Sequence, residues 1–416
     1  MTSVTAVREV YYPDIDPTPV IDSDPISALF PLVRDHAILE GHGCTFGGVQ
    51  LPNNWLLTDD RPMFLALSFG AVRHILSDEE CFSAAQGYGP SLGTTLGKLL
   101  FTMDEPEHGR YRGLVAKAFM HRSVTEQWLE RHVATTIDEQ LTAIEKRGGG
   151  DLVQDFTLIF PYRVIARITG VPDDCDEELS QYTFDSLLLG ANPEAALRAL
   201  DGMNRIFMQV IADNRRNPRD NYTTALINSE IDGDRLSDED IAAFLRNLIA
   251  AGLDTTYRAT GNLIFQLLED PDQFGALRAN PDLLDTAIWE SLRMIPPGSF
   301  SPRVAKIDTE VEGVTIPKGS QVLACHLTAN YDPRIWNDPL RFDITRGRKP
   351  TMTFGAGVHT CLGNNLARTE MRIAMEGVLQ RLRNLRPDPE RWPTSRIRGF
   401  GLRSPNRLPV LWDPAS

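Results

Sequence analysis

Apolar residues recur at helical spacing over much of the chain. The longest run starts after Ser237, where Asp238, Glu239 and Asp240 suit a helix N-terminus, and continues almost unbroken to Glu269-Asp270-Pro271. About 32 residues at ~1.5 Å rise span roughly 48 Å, so this helix is expected to cross the core of a large domain. Residues 122–146, 151–169 and 195–214 show the same period, the first stopping at Gly148-Gly149-Gly150. Strand signals are shorter. Residues 311–316, the turn Pro317-Lys318-Gly319 and residues 321–324 read as a hairpin, with weaker signals at Trp55-Leu56-Leu57-Thr58 and around Leu408, Val410 and Trp412. The pattern predicts a mainly α protein with a minor β portion. Neither the glycine run nor Asn217-Pro218-Arg219-Asp220 reads as a linker and no repeat is visible, so residues 1–416 are read as a single domain.

Composition changes this picture only by exclusion. With 42% apolar and 24% charged residues in 416, the chain has ample surface to bury and is not dominated by disorder. Its 42 Lys and Arg against 56 Asp and Glu give −14, which excludes nucleic-acid binding by bulk charge. No apolar run reaches the ~18 residues of a membrane span. Glu9, Asp14, Asp16, Asp22 and Asp24 make the start unlike a signal peptide. Five scattered cysteines (Cys44, Cys81, Cys175, Cys325, Cys361) form no disulfide framework, and a reduced, cytoplasmic setting is expected. The charge is uneven: residues 341–416 hold 14 Lys and Arg against 6 Asp and Glu, or +8, leaving 28 − 50 = −22 for the rest. A solvated arginine-rich helix explains that, and so does a docking face for an acidic protein.

The most informative stretch is Phe354-Gly355-Ala356-Gly357-Val358-His359-Thr360-Cys361-Leu362-Gly363, followed by a helical pattern from Asn364. The glycines allow a close-packed loop, and Cys361 falls just before a helix N-terminus, where the dipole and free N–H groups favour a thiolate and tune a metal bound to it. A buried, inert cysteine beside a glycine turn is the alternative. Inside the long helix stands Ala251-Gly252-Leu253-Asp254-Thr255-Thr256. Gly252 costs ~1 kcal/mol in a helix and so needs a reason, such as room for a ligand. Thr255 can bond back to a carbonyl, and Asp254 is an acid in an apolar stretch. Together they suit a proton relay; a kinked core helix with a satisfied aspartate is the plainer reading. Glu290-Ser291-Leu292-Arg293 and His108/Arg112 are pairs at helical spacing.

These motifs, in this order, resemble the cytochrome P450 family of haem-thiolate monooxygenases, at Phe354, Gly355, Gly357, His359, Cys361 and Gly363 above all. The resemblance implies a P450 fold with a long central helix over haem b (iron protoporphyrin IX). Cys361 would be the axial iron ligand, Asp254 and Thr255 the oxygen-activating pair, and His108, Arg112, Arg303 and His359 the partners of the haem propionates. Glu290 and Arg293 would be a structural pair meeting the segment of Phe342, Asp343 and Arg346. Asn247 and Ala251, eight and four residues before Thr255, share its helix face beside Leu248 and would line the substrate pocket with Leu96, Leu99, Leu188, Ser299, Phe300 and Phe400, placed there by position in the family, and Gly87, Gly89, Gly93 and Gly97 would make its loop mobile. Asn247 interrupts an apolar stretch: it either bonds a substrate or is a core amide satisfied by protein or water. The expected reaction is hydroxylation of a neutral, hydrophobic small molecule by O2 and two electrons. No redox module is expected in this length, so a separate ferredoxin with its NAD(P)H-dependent reductase would supply them, docking on Arg110, Lys117, Lys349 and Arg372. The rivals are another oxidation in the same scaffold (epoxidation, dealkylation, phenol coupling, peroxide-driven turnover), a non-catalytic haem sensor, and a purely structural helical protein.

Overall fold

A computed structural model describes residues 25–42, 45–51, 61–89, 99–119, 127–186 and 192–415; the strand signal at 55–58 and residues 122–126 lie outside them. The long helix runs Asp238–Glu269. Ser237 Oγ accepts the Asp240 N–H at 3.1 Å while the Asp240 carboxylate accepts the Ser237 N–H at 3.3 Å, a reciprocal cap. At the far end Asp270 caps the following helix, Pro271–Ala279, by accepting the Gln273 N–H at 3.1 Å. The long helix is the spine of two apolar clusters. Phe244, Leu245, Ile249 and Leu253 pack among the helices Phe160–Thr169 and Pro193–Arg216. Leu263, Ile264 and Leu267 pack among Gln127–Ile144, Leu284–Met294 and Asn364–Arg381.

Residues 151–169 are not one helix. Val153–Thr157 forms a wide turn, with the Leu158 N–H on the Val153 carbonyl at 3.1 Å, and regular helix occupies Phe160–Thr169. Pro161 explains the break: it has no N–H to donate, and its ring crowds the carbonyl four residues back.

The expected hairpin is also redrawn. Thr309–Val311 pairs with Val314–Ile316 through Glu312-Gly313, both at positive φ (47° and 79°), the backbone of a two-residue hairpin turn. Gln321–Cys325 instead enters a seven-stranded sheet, parallel to Met63–Ala66 and antiparallel to Phe300–Ala305. Val322, Leu323, Ala324 and Cys325 are all buried, as a central strand covered on both faces requires. Pro409–Leu411, where a weak strand signal stood, pairs with Gly149–Asp151 and Arg386–Pro387. Among the described residues no helix is long and apolar enough to cross a membrane.

Candidate active site

The cysteine loop is shaped by its glycines. Gly355 and Gly357 hold φ of 71° and 70°, and a Cβ on Gly357 would lie 2.6 Å from the Leu76 carbonyl oxygen, so no side chain fits there. The Cys361 N–H closes the loop on the Phe354 carbonyl at 2.9 Å. Gly363 then caps the helix Asn364–Arg381, which places Cys361 immediately ahead of a helix N-terminus. The cysteine is exposed, within a setting crowded by neighbouring protein atoms. Burial pushes the thiol up, against the pull of the Gly363 and Asn364 N–H groups and the Arg112 cation. The expected thiolate therefore does not follow from the helix terminus alone, because desolvation outweighs it; a bound cation at the sulfur reverses that balance.

On the long helix, Ala251 and Thr255 are exposed in a stretch that is otherwise largely buried, and Asn247 and Leu248 are half-buried. Spacing of four puts Asn247, Ala251 and Thr255 on one face. Leu362, next to Cys361, packs against the apolar cluster to which Leu253 belongs, so the cysteine loop and the long helix border the same part of the core. The Thr255 hydroxyl donates to the Ala251 carbonyl at 2.8 Å. Asp254 is 8% exposed, and its carboxylate accepts from Arg258 Nε at 3.1 Å while Arg258 Nη1 reaches Ser404 Oγ at 3.0 Å. The acid and the hydroxyl are thus neighbours in sequence with different hydrogen-bond partners. Gly252 does not make room for a ligand: a Cβ there would lie 2.2 Å from Ile165 Cδ1, so the glycine serves close packing of two helices.

The four residues expected at the propionates lie close together. The His108 and His359 rings have centroids 4.1 Å apart. His108 Nδ1 is 2.9 Å from the Glu105 carboxylate, and its buried Nε2 has no partner. Arg112 Nη2 donates to the Thr360 carbonyl at 2.6 Å, and the buried Arg303 donates to the Pro302 carbonyl at 2.9 Å. Burial, then the Arg303 and His108 charges, hold His359 down to about 3. Two partly or fully buried guanidinium groups and an orphaned imidazole nitrogen fit a group that carries two carboxylates.

Glu290 and Arg293 are both buried and joined by two 2.8 Å bonds. Arg346 Nε and the Asp343 N–H also reach Glu290, at 3.0 and 3.2 Å. Arg293 Nη1 donates to the Asn330 and Pro339 carbonyls, and the Asn330 side chain accepts the Met352 N–H (2.7 Å) and donates to Thr353 Oγ1 (2.9 Å). The pair is therefore tied to the residues that lead into the cysteine loop.

The other positions expected around the pocket and the docking face fare differently. Leu99, Ser299 and Phe400 are buried in protein, with Phe400 in the sheet-side core against Phe300 (5.4 Å between centroids), because their apolar or strand neighbours close over them. Leu402, opposite Gly298, is instead 39% exposed and was not anticipated. Leu96, Leu188, Gly93 and Gly97 lie outside the described residues. Gly87 is not in a loop: it lies in the short helix Ala84–Tyr88, capped by Gly89, where a Cβ on Gly87 would meet the Pro302 carbonyl oxygen at 2.7 Å. Arg110 pairs with Asp234 (2.7 Å) and Arg372 with Glu130 (2.8 Å), while Lys117 and Lys349 donate to the Glu230 and Ile335 carbonyls. Glu370 escaped the sequence reading. It is buried under the long helix, bonded to Thr256, with Oε1 unpartnered, and burial pushes its carboxyl well up. Its helical phase with Leu366, Met371 and Ala374 marks an acid on an apolar stripe.

Residues 186–409 match the family model for cytochrome P450. The chain belongs to the cytochrome P450 family. It is 35% identical over 353 residues to cytochrome P450 107B1 of Saccharopolyspora erythraea, covering 83% of this chain and 84% of that one. It is 35% identical over 354 residues to nocardicin C N-oxygenase of Nocardia uniformis (82% and 87%). The ligand-free structure of cytochrome P450 TbtJ1 superposes with a TM-score of 0.81 at 30% identity, over 95% of this chain and 100% of that one. The mainly α P450 fold, the haem b cofactor and the monooxygenase class follow from this membership.

Proposed function

We propose that this P450 hydroxylates a neutral, hydrophobic small molecule that carries at least one hydrogen-bonding group. The observation that carries this is the open face of the long helix. Ala251 and Thr255 are exposed there, and Asn247 is half-buried with no hydrogen-bond partner among the described residues. An amide left without protein partners favours a ligand or water over a satisfied core position. None of the three is a cation that would bind an acid. Haem held by Cys361, with His108, Arg112, Arg303 and His359 around its carboxylates, supplies the redox and oxygen chemistry when bound. Thr255 holds a hydroxyl at the open face, and Asp254, once released from Arg258, passes protons inward from solvent. The test is a spin-state titration of the ferric enzyme with a panel of neutral terpenoid, steroid and aromatic ligands. Wild type should show saturable shifts, and Asn247→Leu should weaken those from carbonyl or hydroxyl ligands about tenfold while sparing pure hydrocarbons. Equal affinities in both proteins overturn the anchor.

Electrons are proposed to come from a separate ferredoxin and its NAD(P)H-dependent reductase. Two of the four expected docking cations are spent on acids of the same chain. Arg368, with its guanidinium carbon 5.0 Å from the Trp289 ring centroid, adds positive charge near Phe354, whose ring meets Trp289 edge-on, while Arg348, 5.9 Å from the same centroid, is paired with Asp285 at 2.8 Å. Turnover with a ferredoxin that shows no ionic-strength dependence would refute an electrostatic docking face. A second reading, oxygenation at nitrogen, is favoured by the relative named as an N-oxygenase.

A further inference from the structure

The expected propionate partners leave two other orphans unexplained. His326 follows the strand Gln321–Cys325, is 7% exposed, and its Nε2 has no hydrogen-bond partner. Burial and the Arg303 charge hold it down to about 3, so the imidazole is neutral. A buried polar nitrogen without a partner is costly and needs a reason. The sheet register brings a second such group beside it. Cys325 pairs with Phe300, and the Leu327 N–H bonds the Ser299 carbonyl at 3.1 Å, so His326, which opens the short helix His326–Ala329, adjoins Ser299. Ser299 immediately precedes the strand Phe300–Ala305, and extended residues four apart share a face, which puts Arg303 on the side of Ser299. Ser299 is 0% exposed and its hydroxyl also lacks a partner. The Arg303 charge acts on both His326 and His359, so it lies near each of them.

We propose that His326 and Ser299 are additional donors to a haem carboxylate, acting by neutral hydrogen bonds beside the Arg303 charge, and that Ser299 serves the cofactor and not the substrate. This rests on the placement of haem against Cys361 and the propionate cluster. The test times haem loss from the ferric holoenzyme to excess apomyoglobin, for native haem and for haem dimethyl ester. His326→Leu should lose native haem roughly tenfold faster, and His326→Gln, which keeps a donor, should stay within about threefold of wild type. With the ester, wild type and His326→Leu should differ less than about twofold, because the charged acceptor is gone. Unchanged native-haem loss in His326→Leu overturns the proposal. So does equal acceleration with both haems, which would mark a packing role. If the leucine variant does not fold, Ser299→Ala decides the matter by the same two-haem comparison. Failure of wild type to take up haem would overturn the placement itself, before any variant is compared.

Discussion

Replacing Gly252 by alanine puts a methyl group 2.2 Å from Ile165 Cδ1, in a part of the core where Ile165 is fully buried. Two effects oppose each other. Alanine is favoured by ~1 kcal/mol over glycine in a helix interior. Overpacking a dense core costs ~1–3 kcal/mol. The single variant should therefore be destabilised by ~0–2 kcal/mol. Ile165→Val removes Cδ1 and alone costs ~0.5–1.5 kcal/mol. The next Ile165 atom, Cγ1, lies 3.5 Å from the alanine Cβ position, an ordinary contact. In the valine background, Gly252→Ala should then recover its helix gain and stabilise by ~1 kcal/mol. The cycle predicts a favourable coupling of ~1–3 kcal/mol, well above the ~0.5 kcal/mol expected of independent sites. Urea unfolding of the four proteins, followed by far-UV circular dichroism, measures it. Additivity within ~0.5 kcal/mol would refute the packing role of Gly252 and return it to the ligand.

Three further outcomes are expected. Arg293→Ala leaves the buried Glu290 carboxylate with Arg346 as its remaining cation and strands several carbonyls, and should cost ~2–5 kcal/mol, read from urea midpoints, with the red-shifted carbon monoxide band of the reduced enzyme fading in parallel; an unchanged midpoint would refute it. Burial raises the Glu370 carboxyl well above its ordinary 4.5, so the stability its protonated form contributes is fully present below 4.5 and is lost as pH rises toward its raised folded value. Glu370→Gln should therefore gain stability relative to wild type between pH 5 and 8, by at most ~1.4 kcal/mol per pH unit, and a flat difference across that range would count against a buried neutral acid. Thr255→Ala should retain haem but divert reducing equivalents to peroxide; product formation still tightly coupled to NAD(P)H consumption would remove Thr255 from proton delivery.

Local signals carried the long helix and the cysteine loop. Both ends of Asp238–Glu269 are written in adjacent residues, Ser237 with Asp240 and Asp270 with Pro271, so the helix is legible without its neighbours. The loop is similar: Gly355 and Gly357 take backbone angles that other residues avoid. What local signals did not carry depends on partners far along the chain. Residues 321–324 look like the return strand of a hairpin until Met63–Ala66 and Phe300–Ala305 are placed on either side. Arg110 looks like a free surface cation until Asp234 arrives from 124 positions away. Ser299 and Phe400 are expected at the pocket by their order in the family, and their burial depends on what packs over them, which no local signal carries.

The same distinction explains how stability reaches the chemistry. Glu290 and Arg293 touch no reacting atom. Arg293 fixes the Asn330 carbonyl, Asn330 fixes Met352 and Thr353, and the Thr353 hydroxyl returns to the Leu292 carbonyl at 2.7 Å on the helix that carries the pair. That closed circuit ends one residue before Phe354, whose carbonyl anchors the Cys361 N–H. The loop can then hold a sulfur whose surroundings by themselves favour the protonated thiol, because its backbone is clamped from the folding core and does not depend on the charge at Cys361.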